Sequence, residues 1–225
     1  MAGITLISAT PSPFARMNRI AMIEKNIHFT IRNEIPWHSD TTETPKHNPL
    51  EKLPILLFDD GREPVYDSAH IQEYIIQKYA DKKPSLLTGD LDTDLKARQI
   101  QTLCEGILDA FVLANFEKAR EKGKQSKLWL SRQERKIDGG MRALEELVQK
   151  KSGKEGGYLL GDGNVMTIAD IAVVCTVGHI EFAGVRKGWK GQYPELAQFW
   201  EGLDQRESFR STRPEMFDLR TEVVV

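Results

Sequence analysis

A chain of 225 residues exceeds the usual size of one domain, so either one large domain or two modest ones fits it. Its 40% hydrophobic and 28% charged residues exclude a disordered chain, and 31 basic against 33 acidic residues leave a net charge of −2, no field for gripping nucleic acid or an anionic membrane. No apolar run approaches the roughly 18 residues of a membrane helix and no charged-then-apolar leader opens the chain, so a cytoplasmic protein is expected.

Ile4–Ser8 is a short β-rich run. A turn with two prolines around Ser12 follows, and Phe14 to Lys25 then carries apolar residues at helical spacing (Phe14, Met17, Ile20, Ala21), with Asn26 placed to close the helix. His28–Arg32 alternates as a second strand, and after a polar, Thr-rich stretch Ile55–Phe58 is a third. Asp59-Asp60-Gly61 predicts a tight turn into Pro64-Val65-Tyr66, hence a hairpin. Asp67-Ser68 opens another helical pattern through Ile71, Tyr74, Ile75 and Tyr79. This order, β-α-β and then β-β-α, predicts a small α/β layer with a mixed sheet over residues 1–80.

Residues 81–94 are polar, with Pro84 and Gly89, and predict a linker. From residue 95 to 225 the pattern is helical: Leu95 to Lys122, Leu130 to Lys151, and Ile168 to Phe182, which is apolar nearly all round and so belongs at the centre of an all-α domain. Thr167 and Asp170 form a capping box for that last helix, with Met166 and Ile171 as its staple. Pro194 marks the first turn of a further short helix. Cys104 and Cys175 fall in helical, apolar patterns without CxxC or metal-ligand spacing, so they are expected to be packing residues in a reducing compartment, and no metal is expected.

Four features carry candidate chemistry, and each has a plain structural use. Ser12 can cap the helix behind it or serve a substrate. Pro54 can simply start a strand or form a cis bond that turns the Leu53 backbone toward an incoming peptide. Asp67-Ser68 can cap a helix or, with the helix N-terminus binding carboxylate and Asp67 pairing with ammonium, recognise an α-amino-acid group. Lys52 and His38 can be solvated or can face a ligand.

Taken in order, Thr10-Pro11-Ser12-Pro13-Phe14-Ala15-Arg16, Asn48-Pro49-Leu50-Glu51-Lys52-Leu53-Pro54-Ile55-Leu56 and Tyr66-Asp67-Ser68-Ala69-His70-Ile71-Gln72-Glu73-Tyr74-Ile75 resemble the N-terminal domain of the glutathione S-transferases. The helical second half and its capping box resemble the same superfamily, so the likeness covers essentially the whole chain. Within it the chain is most similar to the serine-type members, in particular a YibF-like bacterial and fungal group. The resemblance implies a thioredoxin-like N-terminal domain, an all-α C-terminal domain, and glutathione as co-substrate. It implies that Leu53, before a cis Pro54, pairs its backbone with the cysteinyl unit. Asp67 and Ser68 would hold the γ-glutamyl end, Lys52 would meet the glycine carboxylate with His38 as a second basic candidate, and Ser12 would serve the sulfur. Arg16, one turn into the helix, would add positive potential. The implied acceptor pocket lies between the domains, with Phe14, Trp37, Phe111, Asn115 and Phe116 as candidates; the sequence leaves open whether the tail Pro214 to Val225 covers it or is disordered. A homodimer is implied too, with His70, Gln72 and Glu73 near its interface.

The chemistry asked of Ser12 has a definite size. Moving a thiol from pKa ~8.5 by two units stabilises the thiolate by about 2.7 kcal/mol. One charge-assisted hydrogen bond (~1.5–3 kcal/mol) and a helix N-terminus (~0.3–1 kcal/mol) are of that size. No cysteine stands at position 12, which disfavours a glutaredoxin-like mechanism. The expected activity is thiolate attack on a small apolar electrophile. Glutathione-dependent isomerisation, ether cleavage or dehalogenation is one alternative, and a non-catalytic binding or regulatory module is another.

Overall fold

The computed structural model describes residues 3–36, 42–151 and 157–216. The chain divides into two compact units, one containing the chain up to Leu86 together with the segment from Arg206 onward, the other spanning Leu87–Gln205.

The first unit is built on a three-stranded sheet of order β2-β1-β3, with β1 at Ile4–Ser8, β2 at Thr30–Asn33 and β3 at Ile55–Phe58. β1 and β2 run parallel, from Thr5↔Thr30 to Ser8↔Asn33, while β1 and β3 run antiparallel, from Ile4↔Phe58 to Ile7↔Ile55. A parallel pair needs a crossover; helix α1 (Pro13–Glu24) supplies it. α1 starts where Ser12 accepts the Ala15 N–H and Pro13 takes the first helical position, and it stops before Asn26, whose left-handed φ of 50° asparagine tolerates better than most residues. The short helix α2 (Thr44–His47) is held by Glu34, whose carboxylate accepts from the Glu43 and Thr44 N–H groups and the Thr42 and Thr44 hydroxyls. The predicted hairpin shrinks to a single bridge, Leu56↔Val65, with N–H···O bonds of 2.8 and 3.0 Å. The next hydrogen-bonded pair toward the start of β3 would need a donor from Pro54, which has none.

Helix α3 (Ser68–Lys78) packs on α1, burying Ile71 and Ile75. A further neighbour of α1 comes from the far end of the chain. The one-turn helix α9 (Glu207–Arg210), numbered after the five helices of the second unit, brings Phe209 to full burial beside α1. Burying such a ring stabilises by roughly 1.5–3 kcal/mol. Arg206 donates two bonds to Glu24, at 3.1 and 2.8 Å, and Ser208 donates a third.

The elements of the second unit, among the described residues, are helices: α4 (Leu91–Ala119), α5 (Lys127–Lys151), α6 (Ile168–Ala183), α7 (Trp189–Gln192) and α8 (Pro194–Asp204), with a 3-10 turn at Lys122–Lys124. α4 begins four residues before the predicted Leu95, because the Asp90 carboxylate caps the Thr93 N–H at 2.9 Å. α6 is buried at every position from Ile168 to Ile180, as its apolar sequence requires. Its capping box forms, with the Asp170 carboxylate accepting from the Thr167 N–H at 2.7 Å, the Thr167 hydroxyl at 2.9 Å and the Leu159 N–H at 2.8 Å. Burial pushes the Asp170 carboxyl up, and these three donors pull it back. α5 approaches α4 closely at Gly140, where a Cβ would stand 2.4 Å from Ile107 Cγ1.

Candidate functional site

Three chain segments converge at one end of the first unit. The C-terminal end of β1 leads through Ala9–Ser12 into α1, and Ser12 N–H donates to Ala9 C=O at 2.9 Å. β3 starts beside it: carrying the β1–β3 register one step beyond Ile7↔Ile55 sets Pro54 against Ser8. The N-terminus of α3 is joined to that of α1 by side-chain bonds. Ser68 Oγ donates to Phe14 C=O at 3.1 Å, and Asn18 Nδ2 donates both to the same carbonyl at 3.1 Å and to Ser68 Oγ at 3.0 Å. Ser12, Leu53-Pro54 and Asp67-Ser68, scattered over the sequence, therefore share the edge of the first unit that lies at the carboxyl end of β1, where α/β sheets commonly take ligands.

At the start of α1, Ser12 Oγ accepts the Ala15 N–H at 3.2 Å. That bond uses a lone pair and leaves the hydroxyl proton to be donated. The Phe14 N–H has no acceptor among the described residues, as expected for a first-turn donor. The site thus offers one O–H and one N–H at the positive end of a helix.

The loop before β3 is tied by Asn48, which is buried. Its Oδ1 accepts the Leu50 N–H at 3.0 Å and its Nδ2 donates to Lys52 C=O at 2.9 Å. The loop leaves the Lys52 side chain exposed, with no ion pair among the described residues. The Leu53–Pro54 peptide is cis, and so is Tyr66–Asp67. Neither the N–H nor the C=O of Leu53 bonds to another described residue, so this backbone unit is free to pair with an extended peptide as a further strand would.

At the start of α3, Asp67 Oδ1 accepts the Ala69 N–H at 2.9 Å, while Asp67 itself stays exposed. The Ser68 and His70 N–H groups have no acceptor among the described residues. The Ser68 hydroxyl is spent inside the fold: its single proton goes to Phe14 C=O, so what Ser68 can give an anion is its backbone N–H.

Arg16 is buried, and its guanidinium does not point out from the helix. It donates to Phe209 C=O at 2.9 Å and to the Thr212 hydroxyl at 3.4 Å, which makes it a clamp on the C-terminal segment. Trp37 and His38 lie outside the described residues, as does the tail from residue 217. Phe14 is half-buried in the first unit. In the helical unit Phe111 is buried, its ring edge-on to His179 at 4.8 Å between centroids, while Asn115 is exposed and Phe116 is 59% exposed. Gln72 is buried in the first unit rather than on a surface, whereas His70 is exposed. Both cysteines are buried, and desolvation pushes the Cys104 thiol up to about 12.

Two organisers are absent from the residues singled out in the sequence. Asn48 was signalled by the Asn-Pro pair, a common turn initiator. Asn18 was signalled as a polar residue on the buried stripe of α1, one turn after Phe14.

Comparison with known proteins decides the family. The family model described as the glutathione S-transferase N-terminal domain matches residues 11–78, and that of the glutathione S-transferase C-terminal domain matches residues 128–200. The GST-like protein YibF of Escherichia coli K12 is 36% identical over 213 residues, covering 93% of this chain and 98% of YibF. The chain belongs to the glutathione S-transferase family.

Solved glutathione S-transferases carry the likeness into three dimensions. That of Methylobacterium radiotolerans, in complex with glutathione sulfonate, superposes with a TM-score of 0.86 at 38% identity, over 98% of this chain and 99% of that one. That of Methylobacillus flagellatus, with bound glutathione, gives 0.83 at 30% identity, over 95% and 100%. The thioredoxin-like N-terminal domain and helical C-terminal domain of the glutathione S-transferase fold are both present.

Proposed function

We propose that this chain is a glutathione transferase in which the edge formed by α1, β3 and α3 binds glutathione and Ser12 donates a hydrogen bond to its thiolate. In this reading Leu53 pairs with the cysteinyl unit through its backbone. The Ser68 and His70 N–H groups take the γ-glutamyl carboxylate, the Asp67 carboxylate takes the γ-glutamyl ammonium, and Lys52 meets the glycine carboxylate. The two relatives solved with glutathione or glutathione sulfonate support this choice of ligand. The single observation that carries it is the set of unpaired donors at two helix N-termini pinned side by side, with an unpaired backbone unit at Leu53 on the same edge.

Binding puts the sulfur beside the Ser12 hydroxyl and the first turn of α1. The hydroxyl proton and the Phe14 N–H then face developing negative charge, which lowers the thiol pKa and raises the fraction of nucleophile. The thiolate attacks the electrophilic carbon, a carbon–sulfur bond forms, and the leaving group departs with the bonding pair. No protein thiol takes part. The acceptor is a small apolar electrophile, and Phe14, half-buried beside Ser12, is a candidate to meet it. A cytoplasmic location and a homodimer complete the proposal, and no helix among the described residues is long and apolar enough to cross a membrane.

Titration calorimetry with glutathione, followed by product analysis with 1-chloro-2,4-dinitrobenzene and a panel of halogenated and epoxide electrophiles, tests this. Saturable binding and a stable conjugate are expected. Regenerated glutathione would instead assign an isomerase, and release of oxidised glutathione a reductive cleavage. Absence of binding at millimolar ligand would leave a non-catalytic module.

A further inference from the structure

We propose that Asn18 is a positioning residue for the glutathione site: a buried strut that sets the separation between its sulfur end and its γ-glutamyl end. This rests on the glutathione reading above and extends it to a residue that cannot touch the ligand, since Asn18 is 0% exposed.

Three bonds make the strut, and they close a ring. Asn18 Nδ2 has two hydrogens; one goes to Phe14 C=O at 3.1 Å and the other to Ser68 Oγ at 3.0 Å. The Ser68 hydroxyl returns its own proton to Phe14 C=O at 3.1 Å. Phe14 stands in the first turn of α1 and Ser68 is the first residue of α3. The same two residues hold their N–H groups unpaired on the ligand edge while their C=O and Oγ are used in the ring. Any slide of one helix N-terminus past the other stretches at least two of the three bonds. A site that must grip one extended molecule at both ends depends on that separation, because misplacement by about 1 Å can cost on the order of a hundredfold in rate.

Packing alone does not account for an asparagine here. Asparagine is a poor helix former, and position 18 lies on the buried stripe with Met17 and Ala21, where an aliphatic residue would be expected. Its Oδ1 is buried and meets no donor among the described residues, so the amide is held at a cost to stability. A leucine, of the same branched outline though larger, would remove that cost and the strut together.

The test compares wild type with Asn18→Leu, reading three quantities: melting temperature, the pH dependence of the ultraviolet thiolate absorbance of bound glutathione, and the Kd of S-methylglutathione. Asn18→Leu is expected to fold, its melting temperature set by the unpaired amide it removes and the volume it adds. Its bound thiol pKa should rise, by about half a unit or more, and S-methylglutathione should bind about threefold to tenfold more weakly, the equivalent of one lost hydrogen bond's alignment. A folded Asn18→Leu with the wild-type pH profile and Kd overturns the proposal and leaves the glutathione reading standing. A wild-type protein that binds no glutathione overturns both. Should Asn18→Leu fail to fold, Ser68→Ala cuts the ring at its other corner, and the same two binding readouts decide: wild-type values overturn the strut, weakened ones support it.

Discussion

Ser12 uses different parts of one hydroxyl for two purposes. As an N-cap it accepts the Ala15 N–H with a lone pair, and as a thiol partner it would donate its proton. Cap and catalyst are therefore compatible, and two substitutions separate them. Ser12→Ala removes both, at a cost of about 1 kcal/mol in stability, whereas Ser12→Gly keeps most of the cap and costs only a few tenths. Both should lower turnover by about tenfold to a hundredfold, the worth of one charge-assisted hydrogen bond, while the Kd for glutathione stays within about threefold. Steady-state kinetics beside a thermal melt checks this; a Ser12→Gly protein with full turnover would remove the proposed role of the hydroxyl. Cys104 gives the opposite expectation. Its pKa is pushed up to about 12 by burial, so the thiol stays protonated through neutral and mildly alkaline pH. Native protein should resist alkylation at Cys104 across that range, with no rise as pH increases, and react readily once denatured. Ser12, Pro54 and Asp67 were legible as residues because caps and strand-starting prolines are local. The direction of the Ser68 hydroxyl was not, since Phe14 and Asn18, which decide it, lie some fifty residues away.

The elements were most legible where their cause is local. β1 runs over the predicted Ile4–Ser8, and the capping box opens α6 at the predicted Ile168. They were least legible where an edge or an approach between helices decides. The hairpin after β3 reduces to one bridge, and the missing Pro54 donor, which stops the pairing on the side away from the turn, matters only once the pairing partner is known. Gly140 offered no sign in the sequence, lying inside α5 where glycine costs about 1 kcal/mol against alanine in propensity. Its use is the approach of α4: a Cβ there would stand 2.4 Å from Ile107 Cγ1 and 2.6 Å from its Cδ1. Gly140→Ala should therefore destabilise, against its helix propensity, by about 1–3 kcal/mol, the range for overpacking a filled core. Gly139→Ala is the control, since a Cβ at Gly139 meets nothing within 4 Å. The propensity gain alone should then stabilise it. Urea melts of the two variants give opposite signs if the close approach is the cause, and the same sign if propensity governs both.

At the scale of the molecule, the first unit is assembled from both ends of the chain. The helical pattern after residue 94 gives no sign of this, because α9 is too short and too polar to betray its neighbour. Phe209 is fully buried, Arg16 donates to its carbonyl at 2.9 Å, and Glu24 receives Arg206 at 2.8 Å. These contacts all land on α1, the helix that Ser12 caps, so the C-terminal segment braces the element that carries the sulfur site. Cooperative units, rather than sequence neighbours, determine which amides open together. Native-state hydrogen exchange should accordingly give the protected amides of α9, such as Arg210 bonded to Arg206 C=O, the opening free energy of α1 and not that of α8, only a few residues upstream. Arg16→Leu should lower protection in α1 and α9 together and leave α8 unchanged. Glutathione that binds at the start of α1 stabilises whatever unit contains it by mass action. Saturating ligand should therefore raise protection at residues 207–212 although none of them touches it, and protection there that follows α8 instead would remove the brace.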